Sequence, residues 1–237
     1  FGTASAAGSI VLTTETLSAN AAATANGINF YGASSLYPFT VTSNDFNWSD
    51  STNAVDWHFK NMDYQVALVT TNGGGSANQT ITLDGDCEFD AVTVVGGDTL
   101  DLNGKRMECS GFFIGAGTTN MGGAGGMLIA SGMDFDGTLD EEADATFILT
   151  GSSENADFEH ASIIGDAEST IFFNGTSHNW IGSSTYIGKM IVGGTLASND
   201  ASGNICGDLT IPTGGTLNAN NDTITVKGDF TTSGGLI

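Results

Sequence analysis

Between residues 80 and 230 the chain returns seven times to one short phrase: an apolar, β-rich tetrapeptide, a spacer, then glycine. TITLDGDC from Thr80 and TITVKGDF from Thr223 share Thr, Ile, Thr, Gly and Asp at matching positions. Looser copies are RMECSGFF at Arg106, GMLIASGM at Gly126, TFILTGSS at Thr146, TIFFNGTS at Thr170 and SGNICGDL at Ser202. Their starts are 26, 20, 20, 24, 32 and 21 residues apart. Repeats of that period imply a solenoid, because one unit of that length cannot bury its apolar face alone and must stack on its neighbours. Longer ungapped alignments share the register. GGTLASNDASGNICGDL from Gly193 lies on GGTLNANNDTITVKGDF from Gly214, and residues 89–113 lie on 206–230 with Thr93, Gly97, Thr99, Leu100, Asn103, Gly111 and Phe113 in common.

The expected fold is therefore all-β: a parallel β-helix (solenoid) with about 20 to 26 residues per rung, occupying residues 76–237. Residues 1–75 lack the repeat and hold the early aromatic clusters FYGASSLYPF, DFNW and DWHFKNMDY. They read as an N-terminal cap or attachment segment, since an open solenoid end exposes strand edges and core. ETLSANAAATANG from Glu15 predicts a short helix ended by Gly27. The chain stops at SGGLI, inside another glycine turn, and is expected to be a piece of something longer. Its 34 glycines, about twice the usual ~7%, against 2 prolines mark a turn-dense β composition.

Side chains alternate in and out along a strand. Positions two and four of the phrase should stack inside: Ile81 and Leu83, Met107 and Cys109, Met127 and Ile129, Phe147 and Leu149, Ile171 and Phe173, Gly203 and Ile205, Ile224 and Val226. Position three should face outward, and reads Thr82, Glu108, Leu128, Ile148, Phe172, Asn204 and Thr225. Leu128, Ile148 and Phe172 would then form a contiguous apolar patch on the outer wall. Monomeric soluble proteins seldom carry one. Either the N-terminal segment or a loop covers it, or a neighbouring subunit does; these three residues are the interface candidates.

With 27 carboxylates against 5 basic residues the net charge is −22. Such a chain repels phosphate backbones, which demand Lys or Arg, so nucleic acid and anionic membranes are poor partners. No stretch approaches the 18 or so apolar residues of a membrane span. Self-repulsion of this size suits a protein in salt or one meeting divalent cations. Cys87, Cys109 and Cys206 show no CxxC spacing and read as small buried hydrophobes, with a thiol ladder between adjacent rungs as the other reading.

The sharpest chemical motif is MDFDGTLDEE from Met133. Asp134-x-Asp136-Gly-Thr-Leu resembles the nucleophile signature of haloacid dehalogenase-like phosphatases, in which the first Asp attacks phosphorus and the second is acid and base. Its surroundings contradict that chemistry, being glycine-punctuated β phrases without a following amphipathic helix. Asp134, Asp136 and Asp140 are also candidate calcium ligands, as hard oxygens clustered in one turn region with Glu141 and Asp144. The glycine is misplaced for an EF-hand, and a solvated acidic turn is the simpler reading. No catalytic residues are assigned. Paired carboxylates of glycosidase spacing arise on neighbouring rungs of any acidic solenoid, and Arg106 is the single arginine available to a lyase. The outward threonines Thr82 and Thr225 are too few for an ice-binding array.

The GGTL-x(2)-N and TITV-x-GDF phrases, spread over roughly residue 79 to the end, resemble in architecture the parallel β-helices of phage tail spikes and fibres, virion decoration proteins and bacterial surface adhesins. The resemblance implies a rigid, protease-resistant, extracellular or virion-surface protein, often a symmetric oligomer. It transfers no catalytic residue. The expected function is a non-enzymatic structural or attachment protein of a virus particle, built with other protein subunits as a homo-oligomer, with a host surface glycan or receptor as a further partner. The alternatives are a secreted bacterial adhesin or surface-layer module, and a polysaccharide-degrading enzyme.

Overall fold

The computed structural model describes residues 10–14, 17–18, 28–31, 39–43, 46–47, 56–64, 68–69, 78–123, 125–141, 144–159, 161–164, 168–182, 186–199 and 204–236. Short β segments between glycine corners can pair their backbone groups only with neighbours, and coiling stacks each segment on its equivalent one turn later. Among the described residues this gives parallel sheets of 12, 9 and 7 strands, here termed the long, middle and short walls. They wind through about seven turns of roughly 20 residues as a parallel β-solenoid. One turn runs through Cys87–Phe89 on the long wall, Val92–Val94 on the middle wall and Thr99–Asp101 on the short wall. Arg106–Cys109 then returns to the long wall.

Pairing also reaches below the sequence repeat. Asp56–Lys60 stacks under Thr80–Leu83, and Met62–Tyr64 under Cys87–Phe89. Phe39–Ser43 and Ile10–Thr14 extend the long wall further. The expected boundary near residue 75 falls outside the described residues. So does most of the segment expected to be helical, of which Leu17–Ser18 is a strand paired with Phe46–Asn47.

The repeated phrase encodes a strand with its corners, not a face of the coil. TLD at Thr99–Asp101 lies in the short wall, whereas its aligned equivalent TLN at Thr216–Asn218 lies in the middle wall. Their backbones nevertheless agree: Gly97 and Gly214 both have φ of +93°, and Asn103 and Asn220 both +49°. Asp101 and Asn218 each accept a hydrogen bond from the N–H two residues on, at 2.8 and 3.0 Å. This is the Asx turn that lets a short polar side chain replace a backbone partner. Asn120 does the same for the N–H of Gly122 at 2.7 Å.

Alternation places most of the core where the phrase predicts it. Ile81, Leu83, Met107, Cys109, Phe147, Leu149, Ile171 and Phe173 are buried. Two copies are out of register by one residue. Met107 pairs with Leu128 and Leu128 with Phe147, so Leu128 and Ala130 are fully buried and Met127 and Ile129 occupy the outer face. The copy anchored on Gly126 misleads because that glycine is a corner residue packed on the Met121 carbonyl, not the first residue of the strand. Likewise Cys206 pairs with Val226 and is buried, in the place expected for Ile205; Gly203 is outside the described residues. The 32-residue step hides a whole turn. Thr170 through Phe173 stack on Lys189 through Val192, and that strand, Tyr186–Val192, stacks on Asn204–Ile211.

Inside, Phe135 is sandwiched between Phe113 at 5.2 Å and Phe158 at 5.4 Å, the latter nearly parallel at 13°, with Phe147 edge-on at 6.3 Å. Gly115 makes room for this stack, since a Cβ there would strike the Phe113 and Phe135 rings. The cysteines do not stack on one another: Cys87 lies on Met107 and Cys109 on Phe89, and all three thiols are free. Burial pushes Cys87 and Cys109 up to about 12 and Cys206 to about 11, which keeps them protonated and unreactive. At the far end of the coil the inner column Met190, Leu209, Phe230 finishes with Phe230 49% exposed.

Candidate functional site

The Asp134 motif is built for packing. In Met133-Asp134-Phe135-Asp136 the period of two sends Met133 and Phe135 into the core and leaves the acids outside. Asp134 stands on the middle wall between Ile114 and Asp157, while Asp140 stands on the short wall between Asn120 and Ile164. Asp136 is exposed at the corner between those walls. The calcium candidates thus belong to separate surfaces, and among the described residues no group of three metal-capable side chains converges. The glycine of the motif serves the corner: a Cβ on Gly137 would overlap the carbonyls of Gly117 and Ala116 one turn below. Gly137→Ala is expected to cost about 1–3 kcal/mol through this overpacking, measured as a lower thermal midpoint. A midpoint equal to wild type would show that the corner has room.

Other polar groups stand apart from one another. His58 and Asp84 pair at 3.1 Å on the short wall, both side chains 28% exposed. Arg106 lies against Glu88 and Glu108 on the long wall, offsetting the repulsion of stacked carboxylates. Inside, Trp57 donates to the Gln79 side chain at 3.2 Å, and the Gln79 N–H donates to Asp98 at 2.8 Å. His178 is fully buried and neither ring nitrogen meets a partner. Burial pulls its imidazole below the ordinary value, against the opposing pull of the Glu154 and Leu149 carbonyls and the Glu154 carboxylate.

One surface gathers several side chains of a single kind. The outer column of the long wall reads Glu88, Glu108, Ile129, Ile148, Phe172, Ile191, Thr210 and Thr231 on successive turns. The apolar stretch is thus four residues long. Ile148 and Phe172 stand in it as expected, Ile129 takes the place predicted for Leu128, and Ile191 extends it. All four are partly exposed. The Phe172 ring lies on Gly193, where a Cβ would come within 2.8 Å of it. On one side of the column stand Met127, Thr146, Thr170 and Lys189, in register with it. On the other side, just past the strand ends, come Ser131, Thr150, Asn174 and Gly193. These twelve positions hold no carboxylate, on a chain that carries 27.

The sequence reading missed Ile129 and Ile191. The glycine pair Gly193-Gly194 after KMIV, matching Gly214-Gly215, was the available sign of the hidden turn. No protein-family model, curated protein or solved structure matches this chain.

Proposed function

We propose that the chain is a non-enzymatic structural or attachment protein, a stiff rod displayed on a virus particle in the manner of a tail spike, fibre or capsid decoration. Its long wall docks against protein subunits of the same assembly. The observation that carries this reading is the carboxylate-free apolar surface around Ile148 and Phe172 on an otherwise strongly acidic solenoid. Contiguous apolar surface on an outer wall marks interaction sites, and Ile129, Ile148, Phe172 and Ile191 stand partly exposed in one column of that wall. The setting on a particle is supported by the resemblance of architecture and by an acidity that disfavours nucleic acid and anionic lipid.

The competing enzymatic reading makes an opposite forecast. Incubation with a panel of neutral and uronate-containing polysaccharides is expected to release no reducing ends and no unsaturated uronate. Release that disappears in Asp134→Ala would overturn the structural reading and make the middle wall a catalytic face.

A further inference from the structure

We infer that the occupant of this surface is a second copy of the same chain, packed face to face with its solenoid axis antiparallel to the first. The inference rests on the docking reading above and names its partner. Charge argues first. A basic partner would be drawn to the acidic surfaces, where a contact gains Coulomb energy, and not to the patch that lacks carboxylates. A like-charged partner is restricted to such a patch, because elsewhere each approach desolvates and juxtaposes acids. On a chain of net charge −22, the like-charged partner that the protein itself supplies is another copy.

The orientation follows from what borders the patch. Four turns at about 4.8 Å and three alternate positions at about 7 Å give a surface of roughly 15–20 Å on each side. That falls short of the ~800 Å² per partner of a standard interface, so the turns above and below must join the contact. In a parallel two-fold arrangement each turn would face itself, setting Glu108 against Glu108 and Glu88 against Glu88 of the second copy. In the antiparallel arrangement the two-fold axis runs along the strands between the Ile148 and Phe172 turns. Ile148 then meets Phe172, and Ile129 meets Ile191. Glu108 meets Thr210, Glu88 meets Thr231, and Arg106 meets Asp208 of the second copy, as the order of the column dictates. One like-charged meeting remains at the rim, Asp86 with Asp229. The interface is isologous and closes on itself.

Sedimentation velocity across a concentration series, joined to thiol cross-linking, tests both parts. Wild type is expected to sediment as a dimer that dissociates on dilution. Phe172→Glu, which sets a carboxylate at the centre, should raise the dissociation constant at least about a hundredfold. Ile191→Lys at the edge of the patch serves as the second variant should Phe172→Glu melt early. For the orientation, Ile129→Cys and Ile191→Cys chains are treated with a short bis-maleimide, the native thiols being buried. Cross-linked dimer is expected when the two variants are mixed and not when either is alone. A wild type that is monomeric at every concentration, or a dimer indifferent to both charged variants, overturns the inference. Cross-linking of Ile129→Cys alone overturns the antiparallel orientation. None of these outcomes bears on polysaccharide turnover, so the structural reading stands or falls separately.

Discussion

Phe135→Ala is expected to destabilise the fold by about 3–5 kcal/mol, lowering the thermal midpoint by roughly 6–20 °C. The ring touches Phe113 from the turn below and Phe147 and Phe158 from the turn above, so that three successive turns meet at Phe135. In a solenoid each turn contacts only its neighbours, so this one side chain ties three links of the coil at their centre. A cavity there cannot be closed by collapse, because the walls above and below are held at fixed spacing by continuous backbone ladders. Phe135→Leu, which refills part of the space, should lose less than half as much. Asp134→Ala, one residue away on the outer face, should stay within about 1 kcal/mol of wild type. Circular dichroism melts of the three variants check this. Equal midpoints for Phe135→Ala and Asp134→Ala would mean that the alternation through this motif had been assigned to the wrong faces.

The second large effect is acid sensitivity centred on His178. Its imidazole is buried without a hydrogen-bond partner and its folded pKa is lowered, whereas the unfolded chain titrates near the ordinary value of about 6.5. Between those two values the unfolded state holds more protons, so acidification favours unfolding. The contribution of neutral His178 is thus fully present above about pH 6.5 and is lost as pH falls towards the folded value, at about 1.4 kcal/mol for each unit of lowering. Wild type should therefore melt lower at pH 5.5 than at pH 7.5, and His178→Leu should flatten the difference. Parallel falls in the two proteins would assign the effect to another group. The Glu154 carboxylate, the charged group acting on the ring, works to raise the imidazole pKa, and Glu154→Gln should steepen the loss.

Much of the coil was legible because its signal is local. A tetrapeptide such as TFIL or TIFF declares by alternation which side chains point inward, and Phe147, Leu149, Ile171 and Phe173 are buried accordingly. What was not legible is longer in range. Stacking is decided by corners, whose length varies from turn to turn, so that Met127 and not Gly126 faces Arg106. A phrase recognised by its glycines slips by one wherever the glycine belongs to the corner, and a slip of one exchanges inside for outside. That is how Leu128 came to be expected on the surface in place of Ile129. Ile148 and Phe172 lay in copies whose alternation was read correctly, while the two ends of the apolar column, Ile129 and Ile191, needed the stacking itself. The Asp134 motif shows the reverse case, where a short signature matches in letters but its alternate residues are consumed by the core.

The parallel ladders have a mechanical consequence. Strands run around the coil and their hydrogen bonds run along its length, so a pull applied through the two chain ends loads few bonds at a time and peels the coil turn by turn. Lateral force meets every wall at once. A rod of this kind resists bending and shear yet surrenders its contour length gradually under axial tension. The aromatic stack around Phe135 is where that peeling must part three turns together.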